Sequence, residues 1–281
     1  MPTSELPVSR LVVDAAACIS CGRCAADCVA GVIKLVDGVV TVTPEADERC
    51  IGCQHCLAIC PVAALGVAGK VPADSEPLRK FDPDSLELLM KGRRSVRTFA
   101  PGAVPPETLR RIIHVAAHAP TGVNARDRRF TVVYKREDMD ALRDRTVRLL
   151  LDRGETVLPG EMQWLVASAR RWEEKRHDVV FRTAPHLLVI TAGPDQVCPR
   201  EDCLIAMAHF DLYAQTVGVG TVWCGMLYYV LEYFPEVRRW LRIPEGHILG
   251  YAMLFGPGGL SYPRTVQHEA EAVEILDGLG G

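Results

Sequence analysis

Apolar residues recur at helical spacing along much of the chain after residue 84. Leu109, Ile112, Ile113 and Ala116 share one face behind Pro106, a residue suited to opening a helix. Asp84 can cap a shorter helix running to Lys91, and these two helices bracket residues 92–105. Residues 138–151 and 161–178 read as further helices. Residues 199–217 read as a long apolar helix whose part from 203 onward is expected at the centre of the core. Residues 130–134, 187–192, 221–223 and 248–255 are short and rich in apolar side chains, and read as strands. Strands alternating with long helices, the helices outweighing them, predict an α+β or α/β layer.

The first seventy residues follow a different rhythm. Two apolar stretches, 29–36 and 62–67, each trail a run of cysteines, and the second run lies 32 residues after the first. Two such halves are expected to fold as one pseudo-symmetric unit with a small core that leans on metal for stability. Composition then changes at residues 69–77, which carry proline and charge but no periodic apolar positions. The expected organisation is a cysteine-rich domain at 1–69, a linker at 70–83 and a second domain at 84–281. Two domains also suit 281 residues.

Eight of the eleven cysteines make up the two runs: Cys18, Cys21, Cys24 and Cys28, then Cys50, Cys53, Cys56 and Cys60 with Pro61 behind it. Three thiolates on a tight loop can hold three irons of a cubane, while the fourth cysteine reaches the cluster of the other run. Two four-iron clusters with crossed ligation follow. Cys18, Cys21, Cys24 and Cys60 would hold one, and Cys50, Cys53, Cys56 and Cys28 the other. Zinc is the competing chemistry, but it more often uses paired Cys-x-x-Cys units, and disulfide scaffolds belong to secreted chains. Val29 follows Cys28, so the first run lacks the proline of the second.

The net charge of −3 and a pI near 6.3 offer no case for nucleic acid or an anionic membrane as partner. The most apolar stretch, 204–231, is interrupted by His209, Asp211, Gln215 and three glycines, which argues against a bilayer helix. Residues 1–10 lack the basic-then-apolar pattern of a signal peptide. Oxygen-sensitive clusters and unpaired extra cysteines fit a reducing interior, so a soluble, cytoplasmic protein is expected.

Arg93-Arg94-Ser95-Val96-Arg97-Thr98-Phe99 follows the first short helix, Ala119-Pro120-Thr121-Gly122-Val123-Asn124 ends the second, and Gly218-Val219-Gly220-Thr221-Val222-Trp223-Cys224-Gly225 and Arg264 come later. In order and spacing, over roughly residues 85–270, this resembles the FMN-dependent nitroreductase family. With the ferredoxin-like module in front, the chain resembles its ferredoxin-fused subgroup. The resemblance implies FMN as a cofactor beside the two 4Fe-4S clusters. It implies Arg93 and Arg264 near the FMN phosphate and ribityl chain, and Arg97 at the pyrimidine edge. Three arginines within five residues, Ser95 among them, can hold a dianionic phosphate, although such a cluster can equally be a solvated basic face. Pro120, Thr121 and Asn124 can be a plain helix stop, whereas in the family this loop reaches the flavin of the other subunit. A homodimer with FMN at the interface is thereby implied. The glycine-rich turn, including Cys224 and Gly225, would lie against the flavin. It lacks the third glycine of a dinucleotide fingerprint and follows a helix, which does not support a Rossmann site. The chain departs from the family at Arg126 and Arg128, where glutamine and tryptophan are frequent, pointing to an altered interface or a more anionic substrate.

Other candidates have plainer explanations. His114 and His118 lie four apart on a helix without an evident third ligand. Cys198, Cys203 and Cys224 have no motif spacing and read as small buried residues. Residues 173–176 read as a solvated helix face. Tyr228 and Tyr229 suit either the substrate side of the flavin or the core. No residue is identifiable as catalytic.

Clusters carrying single electrons beside a flavin predict an oxidoreductase. Electrons would pass from a reduced ferredoxin or similar low-potential donor to the clusters, then to FMN, and on to a nitro, quinone or activated-alkene acceptor. The alternatives are a dehydrogenase exporting electrons to ferredoxin, a non-enzymatic relay, and a redox sensor. Cluster potentials span roughly −700 to +450 mV with environment, so sequence does not set the direction.

Overall fold

The computed structural model describes residues 10–269 and 271–278. The expectation about residues 1–10 therefore lies, Arg10 apart, outside the described residues. The chain forms two compact units, one of residues 1–81 with 121–126 and one of residues 82–120 with 127–281.

In the first unit the order is β1 (Leu11–Val13), α1 (Arg23–Ala26), β2 (Ile33–Val36), β3 (Val39–Val42), α2 (Ala46–Arg49), α3 (His55–Ile59) and β4 (Leu65–Val67). The 32-residue repeat is visible in the backbone. Ser20 and Gly52, Gly22 and Gln54, Gly31 and Ala63, and Asp37 and Gly69 are left-handed at equivalent places in the two halves. Pairing crosses between the halves, β1 with β4 and β2 with β3, both antiparallel. Leu11, Val32, Ile33, Leu57, Leu65 and Val67 bury a small core among the cysteines. The segment expected as a linker contains one short 3-10 turn, Pro72–Asp74.

The second unit begins with α4 (Pro83–Gly92). Its cap is Asp82, not Asp84 as expected. Pro83 has no N–H to lose and a φ already suited to the first helical position, so the cap falls one residue before it. The Asp82 carboxylate accepts from Asp84 N and Ser85 N, both at 3.3 Å. Then come α5 (Pro106–Ala116), β5 (Arg128–Val133), α6 (Arg136–Val157), α7 (Trp164–Lys175), β6 (His186–Ala192), α8 (Pro199–Thr216), β7 (Val219–Trp223), α9 (Gly225–Tyr233), α10 (Pro235–Trp240) and β8 (Ile248–Pro257). The helix expected over 161–178 is a 3-10 turn, Gly160–Met162, followed by α7.

The sheet order is β5–β6–β8–β7, antiparallel throughout. Both faces are covered, which is why β6 is apolar at nearly every position and wholly buried. Leu188 and Ile190 pack toward α5 and α8 with Ile112, Met207 and Phe210. Leu187 and Val189 pack on the opposite face with Leu150, Leu165, Val230 and Phe234. Helix α8 is central, as expected, and its approach depends on Gly250. A Cβ there would lie 2.2 Å from Cys203 Cβ. No helix among the described residues is long and apolar enough to cross a membrane.

Candidate functional site

Cysteines of the two runs come together. Cys28 lines one small cavity with Cys50, Cys53 and Cys56. Burial pushes the Cys56 thiol up to about 11, reinforced by Cys53, Cys50 and Cys28 around it. Burial likewise raises Cys24, whose sulfur neighbours are Cys60 and Cys18. Cys21 is exposed. The left-handed residues inside each run let the backbone wrap around a central object, and Ala64 N donates to Cys60 Sγ at 3.2 Å. Arg10 Nη1 donates to Cys50 O at 2.9 Å and its backbone N to Asp47 Oδ1 at 2.7 Å, holding the start of the second run. Among the described residues no three His, Cys, Asp or Glu groups converge on one ion. The grouping of Cys28 with Cys50, Cys53 and Cys56, and of Cys24 with Cys18 and Cys60, is the crossed set that two four-iron clusters would need. His114 and His118 form an edge-to-face ring pair, 5.2 Å apart.

In the second unit a cavity of about 320 Å³ gathers Ser95, Arg97, Cys224 and Gly225. The segment carrying Ser95 and Arg97 is held along the β7 edge. Ser95 bridges Thr221 in parallel, and Val96 N donates to Thr221 O at 2.8 Å. Gly220 permits this, because a Cβ there would fall 2.8 Å from Val96 Cβ. Within the glycine-rich stretch Gly218 is left-handed and the strand expected at 221–223 runs from Val219 to Trp223. Gly220 is spent on Val96. Cys224 and Gly225 form the N-terminal end of α9, whose backbone amides favour negative charge.

The arginines divide by role. Arg97 is exposed and has no hydrogen bond or ion pair among the described residues. Arg93 Nη1 lies 3.5 Å from Asp211 Oδ2, a carboxylate only 4% exposed. Asp211 also accepts from the Thr221 hydroxyl and, at 3.0 Å, from Trp223 Nε1. Arg94 donates to Lys91 O at 2.7 Å and closes the end of α4. Arg264 is exposed and does not line the cavity. Thr121 and Asn124 belong to the first unit, where Asn124 Nδ2 donates to Ile51 O at 2.9 Å, and Pro120 belongs to the second.

Arg128, expected to mark an altered interface or an anionic substrate, is a structural tie. Its guanidinium donates to Ala117 O, Ala119 O and Asp202 O, joining the end of α5 to the start of α8. Cys203 and Cys224 are buried as expected, with thiols pushed up by burial to about 12 and about 11. Cys224 Sγ donates to Val180 O at 3.4 Å. Cys198 is half-buried ahead of α8, against the expectation. Tyr229 lines the cavity while Tyr228 stacks on Tyr251 at 4.9 Å.

Five lining residues were not found from sequence: Trp164, Val180, Arg182, Met226 and Leu254. Arg182 and Thr183 are consecutive left-handed residues with φ of 50° and 51°. Such a conformation costs about 1–3 kcal/mol per non-glycine residue, and is least expected of a β-branched threonine. Asp178 clamps it, accepting from Phe181 N at 2.8 Å and Thr183 N at 2.9 Å, and Arg136 Nη1 donates to Thr183 O at 2.8 Å. No sequence pattern announces a clamp of this kind.

Residues 90–257 match the nitroreductase family, and residues 17–65 match the 4Fe-4S dicluster domain. A relative in Methanothermobacter thermautotrophicus, whose name joins NADH dehydrogenase and NAD(P)H nitroreductase, is 28% identical over 185 residues, 64% of this chain and 78% of that protein. A nitroreductase with bound FMN from Desulfitobacterium hafniense superposes with a TM-score of 0.53 at 26% identity, covering 69% of this chain and 100% of that one. One from Bacteroides fragilis, also with bound FMN, gives 0.54 at 23%, covering 68% and 98%. The match spans well over half the sequence and the matching sheet and helices are in place, so the chain belongs to the nitroreductase family and carries an N-terminal 4Fe-4S dicluster domain.

Proposed function

We propose that the chain is an FMN- and iron–sulfur-dependent oxidoreductase that takes single electrons from reduced ferredoxin or a similar low-potential donor and delivers them in pairs to a nitro, quinone or activated-alkene acceptor. The carrying observation is the cavity holding Ser95, Arg97, Cys224 and Gly225, lined by two arginines and no carboxylate, in a chain seven of whose eight motif cysteines gather in two groups. A flat anionic ligand fits it: Arg97 offers an unpaired guanidinium, Ser95 a hydroxyl and α9 the amides of its first turn. Bound FMN supplies the junction between one-electron and two-electron transfer, and the clusters supply one-electron transfer.

The residues of the chain do the positioning. Asp211 holds Arg93 and Trp223 from beneath, and the β7 edge holds Ser95 and Arg97 at the cavity. A cavity rimmed by the exposed Arg97 and the 39% exposed Trp164 leaves room for an acceptor, which favours an enzyme over a closed relay. The segment from 258 to 278 exposes Leu260, Tyr262, Val266, Val273, Ile275 and Leu276, apolar surface that suits a homodimer with FMN at its interface.

The test is Cys21→Ala in the full chain. Ferredoxin-driven turnover should be lost while FMN stays bound and dithionite still reduces it. Loss of FMN along with the cluster would contradict two cofactor sites on separate units.

A further inference from the structure

Arg97 and Arg182 are both cations lining the cavity, and no Asp or Glu lines it with them. Neither guanidinium has a hydrogen bond or ion pair among the described residues. Arg97, carried on the β7 edge beside Ser95, suffices for the negative edge of one flavin. Arg182 is left over. It stands on a loop held in an unfavourable conformation by the Asp178 carboxylate and the Arg136 guanidinium. Asparagine or glycine would occupy two successive left-handed positions at less cost. What the clamp secures is a half-buried arginine lining the cavity, with the edge-on pair Trp164 and Tyr229, whose rings lie 6.5 Å apart, in the same lining. A cation drawn partly out of water without a partner is unfavourable until an anion joins it, and a guanidinium matches a carboxylate through paired donors.

We propose that Arg182 selects the electron acceptor, so that the cavity takes a flat conjugated molecule bearing a carboxylate, with the anion on Arg182 and the ring along Trp164 and Tyr229. The assignment rests on reading this cavity as the flavin and acceptor site. An anion on Arg182 could also be the phosphate of the cofactor, and the experiment separates the two.

The oxidised holoenzyme is titrated calorimetrically with benzoate and with benzamide, a neutral molecule of the same shape. Benzoate should bind at least tenfold more tightly. Arg182→Gln should abolish most of that preference, Arg182→Lys should keep part of it, and added salt should weaken benzoate alone. The affinity for FMN relative to riboflavin should not change in either variant. Equal binding of benzoate and benzamide by the unsubstituted protein would overturn the proposal without any variant having to fold. An Arg182→Gln protein that no longer prefers FMN to riboflavin would also overturn it, since the charge would then serve the cofactor phosphate. Calorimetry needs no flavin signal, so a protein that keeps no FMN yet prefers benzoate would contradict the proposed function while supporting the anion site.

Discussion

His186 is wholly buried, stacked between Tyr134 and Phe255. Val104 N donates to its Nε2 at 3.0 Å, so the proton sits on Nδ1, which donates to Tyr134 O at 2.7 Å. Burial holds the imidazole below its ordinary value of 6.5, against a smaller opposing effect of the Tyr134 carbonyl. The unfolded chain therefore takes up this proton first as pH falls. The stability tied to neutral His186 is complete above about pH 6.5 and drains away below it. His186→Phe should cost about 2–4 kcal/mol at pH 8, from two backbone groups left without partners. It should also narrow the gap between unfolding at pH 8 and at pH 5, and denaturation with an unchanged pH slope would contradict this. At this scale the two cysteine runs were clear in the sequence, because their spacing is itself the chemistry of the 4Fe-4S dicluster domain matched there. It showed Ser95 and Arg97 through a family pattern. Arg182, Asp178 and Asp211 stayed hidden, since their roles come from a left-handed turn and from a buried carboxylate reached across three elements.

The element that places the proposed cofactor residues is a strand edge. Residues 95–100 follow β7 and the end of β8, with Val96 N on Thr221 O and Ala100 N on Pro257 O at 3.0 Å. Gly220→Ala would thrust a methyl group onto Val96 and lift this segment. Destabilisation of about 1–3 kcal/mol is expected, with weaker FMN binding. The pair Gly220→Ala with Val96→Ala should recover both thermal stability and FMN affinity. Recovery of stability alone would detach the segment from the cofactor. Helices α5, α6, α7 and α8 and all four strands of the main sheet were legible, because their apolar positions are periodic or continuous. Helices α9 and α10 were not. In α9, Met226, Leu227, Tyr228, Tyr229, Val230 and Leu231 run together without a polar face, and the glycine before them reads as a turn. Asp82 was missed as the α4 cap because Asp84 is equally suitable by composition, and only Pro83 decides between them.

At the scale of the whole molecule, one chain joins a unit that handles electrons singly to a unit built for a flat anionic ligand. The repeat of the first unit runs from cysteine spacing through matched left-handed residues to crossed strand pairing, so its organisation could be read from sequence almost directly. The small core of that unit also explains why it is expected to depend on its irons. The second unit's acceptor side was less legible, because cavities are made by elements distant in sequence. The central claim is that both kinds of cofactor sit on this chain and exchange electrons. It is tested most directly by anaerobic purification with iron, sulfide and flavin analysis, followed by spectra during titration with reduced ferredoxin and, separately, NADH and NADPH. The account predicts about eight irons and one FMN per chain, with the flavin bleached by reduced ferredoxin alone. A protein without FMN, or one whose flavin is reduced by NADH but not by ferredoxin, would contradict it.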